Sequence, residues 1–217
     1  MKTIDTKAAA AAPQMRPYHH GDLASALLDA AERELTDKGF EGFSLRGVAK
    51  RAGVSHAAPA HHFQDVNGLL TELAARGFER LVSRQLAFRK KADPEPRAQI
   101  GASVLGYIAF AVENPSLFRL MFGSQRPDFN GERLVQAARS AFDDLVALAA
   151  KATGNSDPPD KDHTALVDVA GVWAVAHGLA DLLSAGRLPL LHNLPEAIRN
   201  QIILKLVERV VEPVQPS

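Results

Sequence analysis

A chain of 217 residues that is 46% hydrophobic and 23% charged has enough apolar material to bury a core, and none of the bias of a disordered or fibrous sequence. It has no cysteine, which excludes disulfide frameworks, thiolate metal sites and cysteine nucleophiles and fits a reducing cytoplasm. The 25 basic residues balance 25 acidic ones, so bulk charge does not favour a polyanion, but residues 14–91 hold 12 Lys or Arg against 9 Asp or Glu while residues 92–217 hold 11 against 15.

The first 14 residues read as a mobile tail. They are alanine-rich yet too weakly apolar for the h-region of a signal peptide, and Asp5 argues against a transit peptide. The most apolar segment, Leu166 to Leu183, is interrupted by Asp168, His177 and Asp181, so a soluble protein with no membrane partner is expected. Apolar residues recur at helical spacing nearly everywhere and no β-branched alternation is found, which predicts an all-α chain.

In chain order, Asp22 is a plausible N-cap for a first helix with the inner stripe Leu23, Leu27, Ala30, Ala31 and Leu35, ended by Gly39. Ser44 caps a short second helix that Gly53 breaks. A third runs through His56 to Phe63, and Asp65 caps a long fourth reaching about Lys91. Pro94 and Pro96 follow. Further helices are predicted from about Arg97 to Glu113, Pro115 to Phe122, Gly131 to Thr153, Asp162 to Ala185, and Pro195 to Val211, with a loop over Gly154 to Asp160. Three segments result: the tail at 1–14, a helix-turn-helix at 15–65, and a body at 66–217.

Two short helices joined through a glycine that tolerates positive φ have the form of a helix-turn-helix. The wording here is specific. Ser44-Leu-Arg-Gly-Val-Ala-Lys-Arg-Ala-Gly-Val-Ser55, followed by His62-Phe63 and a long apolar helix from Leu69, resembles the N-terminal three helices of the TetR family of transcriptional regulators. Tyr18-His-His-Gly-Asp-Leu23 resembles the start of helix one in a subgroup of that family, and Trp173-Ala-Val-Ala-His-Gly178 resembles the effector-domain signature associated with it. The resemblance implies a helix-turn-helix head joined by a long helix to a C-terminal ligand-binding and dimerisation domain. It also implies a double-stranded DNA operator, a small-molecule effector, a homodimer and, as the family default, repression.

With the third helix in the major groove, His56, Ala58 and His61 lie near the surface that meets bases, while Ser55 and His62 reach phosphates through neutral hydrogen bonds. Arg46 is a second phosphate candidate. Arg16, ahead of the first helix, is placed to act as a flexible arm, and Tyr18 joins it as a DNA-binding candidate. The chain departs from the family in having Ala60 where Tyr is usual and Val66 where Lys is usual, which removes two expected backbone contacts. Pro59 disfavours helical geometry at Ala58 and delays the start of the third helix.

In the body, Trp173 and His177 are four residues apart and share a helix face, either as packing residues or on the wall of a ligand cavity. Tyr107, Phe110, Phe118, Met121 and Phe122 are the other candidates for that wall, which would suit an apolar or aromatic guest. A guest there would act on the head through the long helix from Val66 to Lys91. The helix holding Trp173 is apolar nearly all round, so one side must face something other than its own core, and Ala176 with Ala180 would allow close approach of a second copy. Ile198, Ile202, Leu206 and Val210 give the last helix a second stripe.

Enzymatic readings find no support. There is no phosphate-binding glycine loop, no G-x-S-x-G and no metal-binding motif, and Asp168 and Asp181 have no evident partner in the sequence. No cofactor is called for. The rival to a DNA-binding regulator is a helical ligand-binding or interaction protein whose helix-turn-helix no longer binds DNA.

Overall fold

The structure, a computed structural model, describes residues 20–211. Ten helices and no strand are found among the described residues: α1 (His20–Gly42), α2 (Leu45–Ala52), α3 (Ala58–Phe63), α4 (Val66–Arg89), α5 (Pro96–Glu113), α6 (Pro115–Gly123), α7 (Glu132–Thr153), α8 (His163–Ser184), α9 (Pro189–His192) and α10 (Glu196–Val211). The tail at 1–14, with Arg16 and Tyr18, lies outside the described residues.

Local chemistry sets most of these boundaries. The Ser44 hydroxyl accepts from Gly47 N at 3.1 Å and caps α2, Gly53 closes it at φ 70°, and the Asp65 carboxylate accepts from Gly68 N at 2.8 Å to open α4; each such cap contributes about 1 kcal/mol. Asp162 caps α8 through the backbone N–H groups of Thr164 and Ala165, and its pKa is held below the usual carboxylate range first by the Asn155 side chain and then by Thr164 N–H. Gly39, at φ 64° and ψ −173°, breaks the first helix at the residue that the sequence predicts to end it, and the half-buried Phe40 and buried Phe43 then plug the core.

Three boundaries differ from the sequence reading. α1 begins at His20, so Asp22 lies inside the helix and is not its cap. α3 begins at Ala58 and not at His56: Pro59 fits only near a helix N-terminus, where its missing N–H costs nothing, so Ser55 to Ala57 form the turn. α9 is a single turn started by Pro189, too short to show any apolar period.

α4 is the spine. It packs along α5 and α7 in the body, and its first half also touches α1, α3 and α6. Leu69, Leu70 and Leu73 join Leu27, Leu35 and Val48 of the head, while Leu81 meets Ile100 and Val104 of α5 in the same continuous core; full burial of each large aliphatic side chain contributes roughly 1.5–3 kcal/mol. Arg80, half-way along α4, bonds Glu32 of α1 at 2.6 Å and Asn114, at the α5–α6 junction, at 2.7 Å. Gly106 lets α5 approach this spine, because a Cβ there would lie 2.7 Å from the Gln85 Cα.

α8 packs on α5, α7 and α10. By length and composition it is apolar enough to cross a membrane, yet Val169, Val172, Ala176 and Leu183 are buried within the helical bundle. Ala176 and Ala180 therefore serve the protomer's own core, Ala180 being 0% exposed, and are unavailable to a second copy. The uncovered face carries Val167 (68% exposed), Ala170, Ala174, Gly178 and Leu182. These residues recur at helical spacing, offset from the buried stripe.

Candidate functional site

The head presents α3 outward. Phe63 and Pro59 are buried beneath it, Ala58 is half-buried, and Ala57, Ala60, His61, His62 and Gln64 are exposed, as are Ser55 and His56 in the preceding turn. Arg46 and Lys50 of α2 are exposed beside it. Arg51 is not free for DNA, because its Nε bonds the buried Glu34 carboxylate and its Nη2 lies 2.8 Å from Asp37. These bonds, that to Glu34 foremost, raise the Arg51 pKa. Gly47 makes room for this pair, since a Cβ there would meet Glu34 Oε1 at 2.0 Å.

The junction between α3 and α4 is short. Gln64 has φ 67° and ψ −64°, and Asp65 N donates to Phe63 O at 2.8 Å, which together make a γ-turn. The same Phe63 carbonyl lies against Gly68, where a Cβ would stand 2.1 Å from it.

In the body, α4, α5, α7 and α8 enclose a chamber of about 310 Å³, within the size range of small-molecule sites. Phe78 and Leu81 of α4, Tyr107 of α5, Met121 and Phe122 of α6, and Phe142 of α7 supply its walls, and Trp173 closes it from α8. Trp173 is 42% exposed and stands edge-on to Phe142 with centroids 6.2 Å apart, so these two rings form a mouth. The polar groups that line it are neutral: Gln85, Ser103, Tyr107, Ser124 and Gln125. Gln85 Nε2 donates to the buried Ser103 hydroxyl at 2.9 Å, so two of these five partly satisfy each other.

Tyr107 Oη lies 2.9 Å from His177 Nδ1. Burial pushes the phenol pKa well above its usual range, and burial lowers that of His177, against the opposing pull of the Asp181 charge. Both shifts point the same way: a protonated Tyr107 donates to a neutral His177. Above pH 6.5, the ordinary histidine value, His177 is neutral folded or unfolded; as pH falls through that value the unfolded chain takes up the proton first and the fold loses stability. The melting temperature is expected to fall with acidification below about pH 6.5, and His177→Gln is expected to make that fall shallower. Parallel slopes for the two proteins would remove His177 from this role.

Comparison with known proteins bears on both halves of the chain. Residues 27–73 match the family described as "Bacterial regulatory proteins, tetR family", and residues 100–206 match "Tetracyclin repressor-like, C-terminal domain". An HTH-type transcriptional regulator of Mycobacterium tuberculosis is 29% identical over 190 residues, 88% of this chain and 86% of its own. The chain belongs to the TetR family. Another relative, the HTH-type transcriptional regulator BetI of Burkholderia thailandensis, is 29% identical over 75% of this chain and 87% of its own. A solved structure from Rhodococcus sp. RHA1, of a protein with unknown function, is 32% identical with a TM-score of 0.72, covering 91% of this chain and 97% of that one. A TetR-like transcriptional regulator from the same organism, 20% identical with a TM-score of 0.61 and coverage of 88% and 97%, shares the fold.

As a transcriptional regulator of TetR type, the protein holds its expected site residues in two groups. Arg46, Ser55, His56, His61 and His62 are exposed on one end of the head, with Ala58 turned partly inward. Tyr107, Met121, Phe122 and Trp173 line the chamber. His177 and Phe118 face a different cleft between α6 and α8, although Tyr107 joins His177 to the chamber wall. Phe110, 2% exposed, lines neither space and packs in the core. The sequence reading passed over Lys50 and Gln64 in the head and Gln85, Ser103 and Phe142 in the body. Gln64 follows α3 in the γ-turn at φ 67°, where helical spacing gives no signal for it; the chamber residues have none either, because helices distant in sequence bring them together.

Proposed function

We propose that the protein is a homodimeric, cytoplasmic repressor that binds a palindromic operator and releases it on taking up a small apolar or aromatic effector. It is best placed in the subgroup marked by Tyr18 to Leu23 and Trp173 to Gly178, with the head at 15–65 reading DNA and the body from 66 onward serving effector and dimer. The observation that carries the reading is the double use of α4: Phe78, Leu81 and Gln85 wall the chamber, while Gly68, near the other end of the helix, seats the last carbonyl of α3. A ligand that favours one position of α4 over another thereby changes the placement of the recognition helix.

Gly178 supports the dimer. A glycine inside a helix costs about 1 kcal/mol relative to alanine, and a Cβ at this position would meet nothing within 4 Å in the protomer. The small, apolar stripe of Ala170, Ala174 and Gly178 suits close contact with its two-fold copy, and α10, which packs on α8, leaves Ile198 and Ile202 exposed for the same contact. The rival reading, a helix-turn-helix that no longer binds DNA, draws on Ala60, which is exposed on the face where the family commonly offers a tyrosine.

The test is selection of genomic fragments with the purified protein, followed by two substitutions. A palindrome with half-site centres about 34 Å apart, or somewhat more, is expected. His56→Ala should change sequence preference by roughly 1–3 kcal/mol at one base pair if its ring meets a base edge. Arg46→Ala should weaken all sequences alike and reduce the salt dependence. No enriched fragment, or two silent substitutions, would favour the rival.

A further inference from the structure

We infer that the effector is an amphipathic carboxylate, with its apolar body in the chamber and its anionic head in a second cleft on the far side of Phe122. This rests on the ligand-responsive reading above and names the chemistry of that ligand. The chamber alone would reject an anion, because none of its lining residues is charged, and an unpaired carboxylate in such surroundings loses its hydration without return.

The second cleft has the opposite character. About 370 Å³ in volume, it lies between α6 and the C-terminal part of α8 and is rimmed by Arg119, His177, Asp181, Ser184 and Arg187. Its one carboxylate, Asp181, is already paired with Arg187 at 3.3 Å. Among the described residues, no carboxylate lies within ion-pair distance of Arg119. The His177 ring has its Nδ1 occupied by the Tyr107 hydroxyl, so its other nitrogen is the N–H donor. One unpaired guanidinium, one paired guanidinium and an imidazole N–H form a donor set for a carboxylate, and the planar fork of arginine matches that group best.

A single layer of side chains separates the two spaces. Phe122 lines both, with its ring centroid 4.9 Å from Phe118 and 4.9 Å from His177. Phe118 is buried and Tyr107 is tied to His177, which leaves the half-buried Phe122 as the member of the layer that can change rotamer at least cost. A ligand with a flexible link between bulk and head spans the layer once that ring swings aside.

The experiment uses the full chain, whose one tryptophan, Trp173, stands at the chamber mouth. Trp173 fluorescence is titrated with decanoate and decanol, and with phenylbutyrate and phenylbutanol, so that each acid has a neutral partner of the same shape. Each acid is expected to bind at least about tenfold more tightly than its alcohol, a difference of about 1.4 kcal/mol. Arg119→Gln should abolish that preference without altering the alcohols, and Arg119→Lys should restore part of it. Arg119 is exposed, so neither change disturbs the core. Alcohols that bind as well as the acids, with Arg119→Gln silent, would overturn the inference and leave the chamber reading intact. Four probes that all fail to perturb Trp173 would overturn the chamber reading and this inference with it.

Discussion

Changing Ala174 to glutamate is expected to turn the protein into monomers without unfolding it. Ala174 is exposed in the protomer, so the new carboxylate is solvated there and costs the monomer little. In the proposed dimer the same position lies between two α8 helices, and two-fold symmetry brings in a second carboxylate; removing each from water costs several kcal/mol with no cation to offset it. Sedimentation velocity should show the mass fall to that of one chain while the helical circular dichroism signal and the melting transition of the protomer persist. Operator affinity should fall with it, since a monomer engages one half-site. A variant that still sediments as a dimer would place the interface on another face, and Leu182→Glu, at the end of the same exposed stripe, gives an independent check.

Gly68→Ala should impair DNA binding through an effect on the head alone. The added Cβ would stand 2.1 Å from the Phe63 carbonyl, a backbone atom that cannot rotate away. That carbonyl also accepts the γ-turn hydrogen bond from Asp65 N, and the Asp65 carboxylate caps α4 through Gly68 N itself. The overlap therefore forces the α3–α4 junction apart and is expected to cost about 1–3 kcal/mol of stability, with a larger loss of operator affinity because the recognition helix is displaced. Denaturant unfolding and an operator titration measure the two effects. The Trp173 response to a bound effector should survive, because the chamber lies at the other half of α4. A stable variant with normal operator affinity would mean that the junction yields more easily than this packing implies.

The sequence carried the head well because its signals are local. Ser44, Gly53 and Asp65 cap or close helices within one turn of themselves, and the motif from Ser44 to Ser55 resembles the family directly. Pro59 announced a late start for α3, and the structure begins that helix two residues beyond the expected His56. The body was less legible. Which face of α8 meets its own core depends on α5, α7 and α10, so Ala176 and Ala180 could not be told from Ala170 and Ala174 by spacing alone. The link between Tyr107 and His177, 70 residues apart, is likewise a product of packing, and so is the burial of Phe110 away from both ligand-sized spaces.

The position of Arg80 gives α4 a mechanical advantage. Held between Glu32 and Asn114, this residue ties an unbroken helix to α1 and to the α5–α6 junction, and in the proposed effector response it would serve as the fulcrum. At 1.5 Å of rise per residue, Gln85 in the chamber wall lies roughly 7.5 Å to one side of it and the start of α4 at Val66 roughly 21 Å to the other. In that proposed response a rigid tilt about Arg80 would be magnified nearly three-fold, so that a guest displacing Gln85 by about 1 Å would swing the α3 end by about 3 Å. Such a movement would approach the 3.4 Å rise of one base-pair step along B-DNA, enough to carry the proposed recognition helix out of register with its operator.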